Sequence, residues 1–169
     1  MPRAIRIYVR VVNRINLYVG RATMLLFFVM LGVLLYSSIS KGLHMPAIWT
    51  LEVAQFLMVA YFLLGGGYSL QSDAHVRMDL LYSRWSPRTR AVVDAFTGLL
   101  LLFYLGMLLY GGLSSTLYAI QYNETSYSTW SPYMAPIKIV MTLGVGLMLL
   151  QALAIFFTDL AAAKGERLE

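Results

Sequence analysis

The chain has 169 residues, 59% of them hydrophobic and only 12% charged, with a formal net charge of +5. A soluble domain carries about 25% charged residues, so this balance excludes an ordinary water-soluble globule and requires apolar surface to be buried in lipid. The absence of cysteine excludes a disulfide framework, a thiolate metal site and a thiolate nucleophile.

Charge spacing locates four uncharged stretches. They cover residues 22–40, 53–72, 95–123 and 139–158, with lengths of 19, 20, 29 and 20 residues. Twenty helical residues rise ~30 Å, the thickness of a bilayer's hydrocarbon core. Backbone groups in lipid must be satisfied within the segment, and four spans cannot supply the strands of a closed barrel, so each is read as a helix. The predicted fold is an all-α integral membrane protein, one membrane domain over residues 1–169. Its transmembrane helices are placed at 22–40, 51–71, 91–120 and 137–158.

Residues 1–21 come first. Arg3, Arg6, Arg10, Arg14 and Arg21 fall within one stripe of a helix, with Ile5, Val9, Val12 and Ile15 on the opposite side. This predicts an N-terminal amphipathic interfacial helix whose arginines reach anionic headgroups. The alternative use of such a stripe is docking a partner protein. Asn13 and Asn16 soften the apolar face, which suits a shallow seat or partial packing on protein. A cleaved signal peptide ending near Ser38-Ile39-Ser40 fits less well, because the apolar run is long and the basic region extended. A retained signal anchor is expected.

Span one is rich in Leu, Phe and Met and is expected to face lipid. A short connection containing Pro46 leads to Trp49, an interfacial anchor. Glu52 stands in the first turn of span two, where a carboxylate suits the helix dipole. It is equally a candidate contact to another subunit. Gln55 follows one turn on. Gly65, Gly66 and Gly67 come next; close helix packing is the ordinary use of such residues, and a hinge is the alternative.

Residues 73–86 then form a basic connection predicted to lie in the inner interface, with Trp85 as anchor. His75 and Asp79 are four apart, so Asp79 can pair with His75 or Arg77 on a helix. Ser86-Pro87 reads as the start of span three. Its 29 uncharged residues rise about 43 Å, so it must tilt, kink near Gly111-Gly112 or project beyond the bilayer. Gly111 with Ser115 is the expected close-packing pair. The following loop carries Glu124 and an aromatic belt of Tyr122, Tyr127, Trp130 and Tyr133.

Eleven of the 13 Lys and Arg residues fall in the N-terminal segment, the 73–90 region and the tail, leaving Lys41 and Lys138 on the other side. The positive-inside rule then puts both termini in the cytoplasm. The basic charge therefore reads as topology, and no nucleic-acid partner is expected. His44 and His75 lie on opposite sides, so no shared metal or haem site is expected, and no phosphate-cradling Gly-Lys-Ser/Thr motif occurs. No catalytic, cofactor-binding or metal-binding residue is assigned. No span carries a charge at its centre, as an ion path would need.

Several features carry a family resemblance. They are Glu52 at the start of span two, Gly65 to Gly67, the run His75-Val76-Arg77-Met78-Asp79-Leu80-Leu81 and the segment Trp130 to Pro136. With four spans and this length, the chain resembles the small membrane subunit, DctQ type, of tripartite ATP-independent periplasmic (TRAP) transporters. The resemblance implies a large multi-span membrane subunit and a periplasmic substrate-binding protein as partners, in a bacterial inner membrane. In that family sodium drives uptake of an organic acid, and the small subunit braces the large one without holding substrate. Glu52, Gln55, His75, Arg77 and Asp79 become the candidate partner contacts. Arg3, Arg6, Arg10, Arg14, Trp49, Trp85 and Trp130 are the expected lipid anchors. A self-contained homo-oligomeric transporter or channel is the alternative. A membrane anchor for a redox enzyme is disfavoured, because no paired histidines could hold haem.

Overall fold

The computed structural model describes residues 3–45, 47–72 and 87–163. Four helices hold nearly all of them: α1 (Arg3–Gly42), α2 (Thr50–Gln71), α3 (Pro87–Gln121) and α4 (Ala135–Ala163). Each is long and apolar enough to cross a membrane. Among the described residues the sole β feature is an isolated antiparallel bridge, Thr125 to Tyr133. The fold is all-helical and multi-pass.

Helix α4 is the hub, in extensive contact with the other three, while α3 packs extensively on α4 alone. The hub follows from side-chain size. Gly144, Val145, Ala152 and Ala154 on α4 are all buried. Small residues let neighbouring backbones approach, and in lipid that fit replaces the hydrophobic drive of a soluble core. Leu105 of α3 is buried with Val145 and Ala152, and Leu63, Leu102, Leu109, Met148 and Leu149 pack around them. On the same side of the bundle as both termini, Val9 and Val12 of α1 close on Ala154.

The expected boundary between an interfacial helix over 1–21 and a span over 22–40 is not seen. Helix α1 runs unbroken for 40 residues, about 60 Å at helical rise. No proline lies in it, and Gly20, its one glycine near the expected joint, is buried against the Tyr68 side chain. The opposite-side reading of its apolar residues also needs correction. Ile5, Val9 and Val12 pack on α4, but Ile15 points outward at 44% exposure. The helix thus has three sectors: a seam facing α4 and α2, the arginine stripe, and a free apolar flank of Ile7, Val11, Ile15 and Tyr18.

Helix α3 stays α-helical through Gly111 and Gly112. The expected Gly111–Ser115 pair is not the contact. Both residues are exposed, and a Cβ on Gly111 would meet nothing within 4 Å. The contact is one residue further round the helix. Gly112 lies under Thr142, whose Oγ1 is 3.2 Å from where a Cβ would stand. The Thr116 hydroxyl meets Thr142 Oγ1 at 2.8 Å. The helix is thus rotated so that Gly112 and Thr116, one turn apart, share the face on α4.

At the loop end, the hydroxyl of fully buried Thr50 reaches the Ala47 carbonyl (2.8 Å) and Ser37 Oγ (3.0 Å), tying α2 to α1. His44, at φ 58°, sits in the left-handed turn between them. Residues 122–134 fold back on themselves through Ser126 N–H to the Pro132 carbonyl (2.9 Å) and Met134 N–H to the Glu124 carbonyl (2.9 Å). The Lys138 ammonium, in the first turn of α4, pairs with the Glu124 carboxylate.

Candidate interaction surfaces

The most specific construction in the bundle is a three-helix seam joining α1, α2 and α4. It starts from glycines. A Cβ on Gly144 would stand 2.8 Å from the backbone of Leu63, so α4 touches α2 main chain to main chain. A Cβ on Gly66 would stand 2.6 Å from Met148 Sδ, and one on Gly67 would overlap the Asn16 side-chain amide. The glycine triplet therefore packs two neighbours at once: Gly66 faces α4, and Gly67 faces α1.

The space over Gly67 is filled by amides. Asn16 Nδ2 donates to Gln151 Oε1 at 2.8 Å, and Gln151 Nε2 donates to Asn13 Oδ1 at 3.0 Å. Asn16 is 0% exposed and Gln151 2%, so these bonds lie out of reach of water, where a polar group must find its partner inside the protein. The Tyr8 hydroxyl adds a bond to the Leu150 carbonyl at 3.0 Å. Asn16 Oδ1 is buried without a hydrogen-bond partner. Amides neither titrate nor bind cations strongly as isolated groups, so this arrangement can lock helices but cannot relay protons.

Charge spacing does not register this seam, because amides carry no charge. The signal that could have found it is the pairing of Asn13 and Asn16, one turn apart, with the single mid-span amide Gln151. Polar residues in an apolar helix face the bundle interior and seek one another.

At the loop end, Glu52 is half-buried in the first turn of α2, and its Oε2 is buried without a hydrogen-bond partner. Gln55 is exposed. Trp49 is 38% exposed and stacks on Tyr36 with ring centroids 5.7 Å apart. Tyr122, Tyr127, Trp130 and Tyr133 are all exposed, ringing the loop end with amphipathic rings suited to a membrane–water boundary.

At the terminal end, Arg6, Arg10 and Arg14 are exposed on α1, and the side chain of Arg3 lies outside the described residues. His75, Arg77, Asp79 and Trp85, with the whole 73–86 segment, also lie outside them. Of Glu52, His75, Arg77 and Asp79, Glu52 is the one within the described residues, in the first turn of α2. Among the described residues no group of three His, Cys, Asp or Glu side chains could hold a metal ion.

Helix α3 also carries a wide uncovered apolar surface. Phe96, Leu99, Leu100, Phe103, Tyr104 and Met107 are each at least 50% exposed, because α4 covers a single face.

A family model described as "Tripartite ATP-independent periplasmic transporters, DctQ component" matches residues 30–162. A search of curated proteins finds no match to the chain.

Proposed function

Because the chain belongs to the DctQ family, the small membrane component of tripartite ATP-independent periplasmic transporters, we propose that it braces the large membrane subunit during sodium-driven uptake of an organic acid. The family is a transporter component and not an enzyme. It works with a large membrane subunit and a periplasmic binding protein. On this reading the chain sits in a bacterial inner membrane with both termini in the cytoplasm, and a binding protein delivers the substrate from the other side.

One observation carries the bracing role: α3 is anchored extensively by a single neighbour and presents exposed apolar side chains from Phe96 to Ile120. Such a face suits a protein surface inside the bilayer. The seam supports the same reading, since it fixes α1, α2 and α4 as one body with neutral groups. No acidic, basic or histidine side chain occurs within residues 22–40, 53–72, 95–123 or 139–158, so no solute path is furnished with charge.

Glu52, Arg77 and Asp79 are proposed to position the large subunit. Alanine at each is expected to lower recovery of the large subunit in co-purification from a strain expressing the whole transporter. Unchanged recovery for all three would remove them from the interface. The chain reconstituted alone into liposomes is expected to show no sodium-dependent uptake of organic anions. Uptake there would end the bracing account and favour a homo-oligomeric transporter.

A further inference from the structure

The arginine stripe of α1 lies outside the 30–162 region matched by the family, and two of its members, Arg10 and Arg14, border a shallow open groove. Arg10, Val11, Arg14, Ile15 and Tyr18 line a depression of about 340 Å³ on the side of α1 turned away from α2 and α4. We propose that this groove is a binding site for an anionic phospholipid in the leaflet at the terminal end of the bundle, with the headgroup phosphate between Arg10 and Arg14.

Depth is the first argument. Helices α1 and α2 run antiparallel in a steady register: a Cβ on Gly65 would lie 3.6 Å from Thr23, Gly20 abuts Tyr68, and Phe27 meets Tyr61. Continuing that register puts Arg14 about one turn beyond the end of α2 at Gln71 and Arg10 about two turns beyond it. The contacts of Asn16 with Gln151 and of Tyr8 with Phe157 place the same two arginines beside the last turns of α4's apolar run, which ends at Thr158. Both guanidinium groups therefore stand at the rim of the hydrocarbon layer, where phosphates lie. Because α1 is continuous, they are held there by a rigid rod anchored at the seam.

Charge is the second argument. No Asp or Glu precedes Glu52 in the sequence, and no acidic partner of Arg10 or Arg14 occurs among the described residues. Two exposed guanidiniums four residues apart offer paired donors to one phosphate. The third argument is what lies beside them. Val11, Ile15 and Tyr18 are 49%, 44% and 64% exposed. An apolar strip continuous with a cationic one matches a lipid, whose acyl chain leaves the phosphate directly. A water-facing acidic protein segment would leave that strip uncovered.

The test is native mass spectrometry of the purified full chain with phosphatidylglycerol and with phosphatidylcholine of the same acyl chains. The wild type is expected to retain one phosphatidylglycerol in clear preference. R10Q/R14Q is expected to lower that retention about 10- to 30-fold, with helicity and thermal midpoint unchanged because both side chains are exposed. R21Q, in the same stripe but outside the groove, is expected to stay within about twofold of wild type. Equal retention of the two lipids, or an equal loss in R21Q, would overturn the site. So would unchanged lipid retention in R10Q/R14Q accompanied by weaker co-purification of the large subunit, since the stripe would then dock protein.

Discussion

Gly144→Ala is expected to destabilise the folded chain by about 1–3 kcal/mol, read as an earlier unfolding transition by circular dichroism in mixed micelles. The added methyl would stand 2.8 Å from the Leu63 carbonyl carbon and 3.0 Å from its oxygen. Those are main-chain atoms of a helix and cannot rotate aside, so α2 and α4 must separate. Lipid tails are as apolar as the helices, so no hydrophobic force holds the pair together once the fit is lost. Separation would also open the contact of Gly66 with Met148, two turns of one interface giving way together. Gly146→Ala is the matched control, because the nearest atom to its added Cβ is Leu109 Cδ1 at 3.9 Å, ordinary contact distance. Gly66→Ala falls between the two: its clash is with the flexible thioether of Met148, which can swing away. Equal stability of Gly144→Ala and Gly146→Ala, within about 0.5 kcal/mol, would show that the main-chain contact is not what joins these helices.

This ordering was not readable from the sequence. The four spans were, because length and charge spacing respond directly to the thickness and polarity of the bilayer. The start of α2 at Thr50, with Glu52 in its first turn, and the start of α3 at Pro87 follow from local chemistry that acts within a few residues. Which glycine matters depends on rotation and on which helix lies opposite. Gly111 and Gly112 are adjacent and identical, yet of the two Gly112 meets α4, on the face where Thr116 bonds Thr142, 26 residues further along the chain. The single rod of α1 was hidden for a related reason. A charge stripe marks an amphipathic helix, but whether that helix bends at its junction with a span depends on a third element. Here the third element is α4, which holds Asn13 and Asn16 through Gln151. Among the candidate contacts, Glu52 was legible from its carboxylate at the head of a span and Arg77 and Asp79 through resemblance: Glu52 is in view at the loop end, while Arg77 and Asp79 fall outside the described residues.

Gln151→Leu is expected to cost about 1–3 kcal/mol, because it strands fully buried Asn16 and half-buried Asn13 at once. Asn16 Nδ2 and Asn13 Oδ1 would each lose their bond, and Asn16, at 0% exposure, cannot turn to water. Hydrogen bonds between membrane helices average about 0.6 kcal/mol and reach about 1.7, so most of the cost is the stranded groups and not the bonds themselves. That distinction is measurable. Asn16→Ala alone removes one donor and leaves Gln151 short of a partner, while Asn16→Ala with Gln151→Leu removes both ends of the bond. The double variant is therefore expected to be less destabilised than the sum of the singles, with a coupling of about 0.5–2 kcal/mol. Strict additivity would mean that Asn16 and Gln151 do not bond. In the Gln151→Leu protein the segment of α1 up to Asn16 loses a buried anchor but keeps its arginines and its exposed apolar flank. With the Tyr8 hydrogen bond and the packing of Val9 and Val12 on Ala154 left to hold it, the segment is expected to open more often, and amide exchange over residues 4–16 to speed up while exchange over residues 24–36 stays slow. Uniform acceleration along all of α1 would instead make the seam a support for the whole helix and not a latch on its first half.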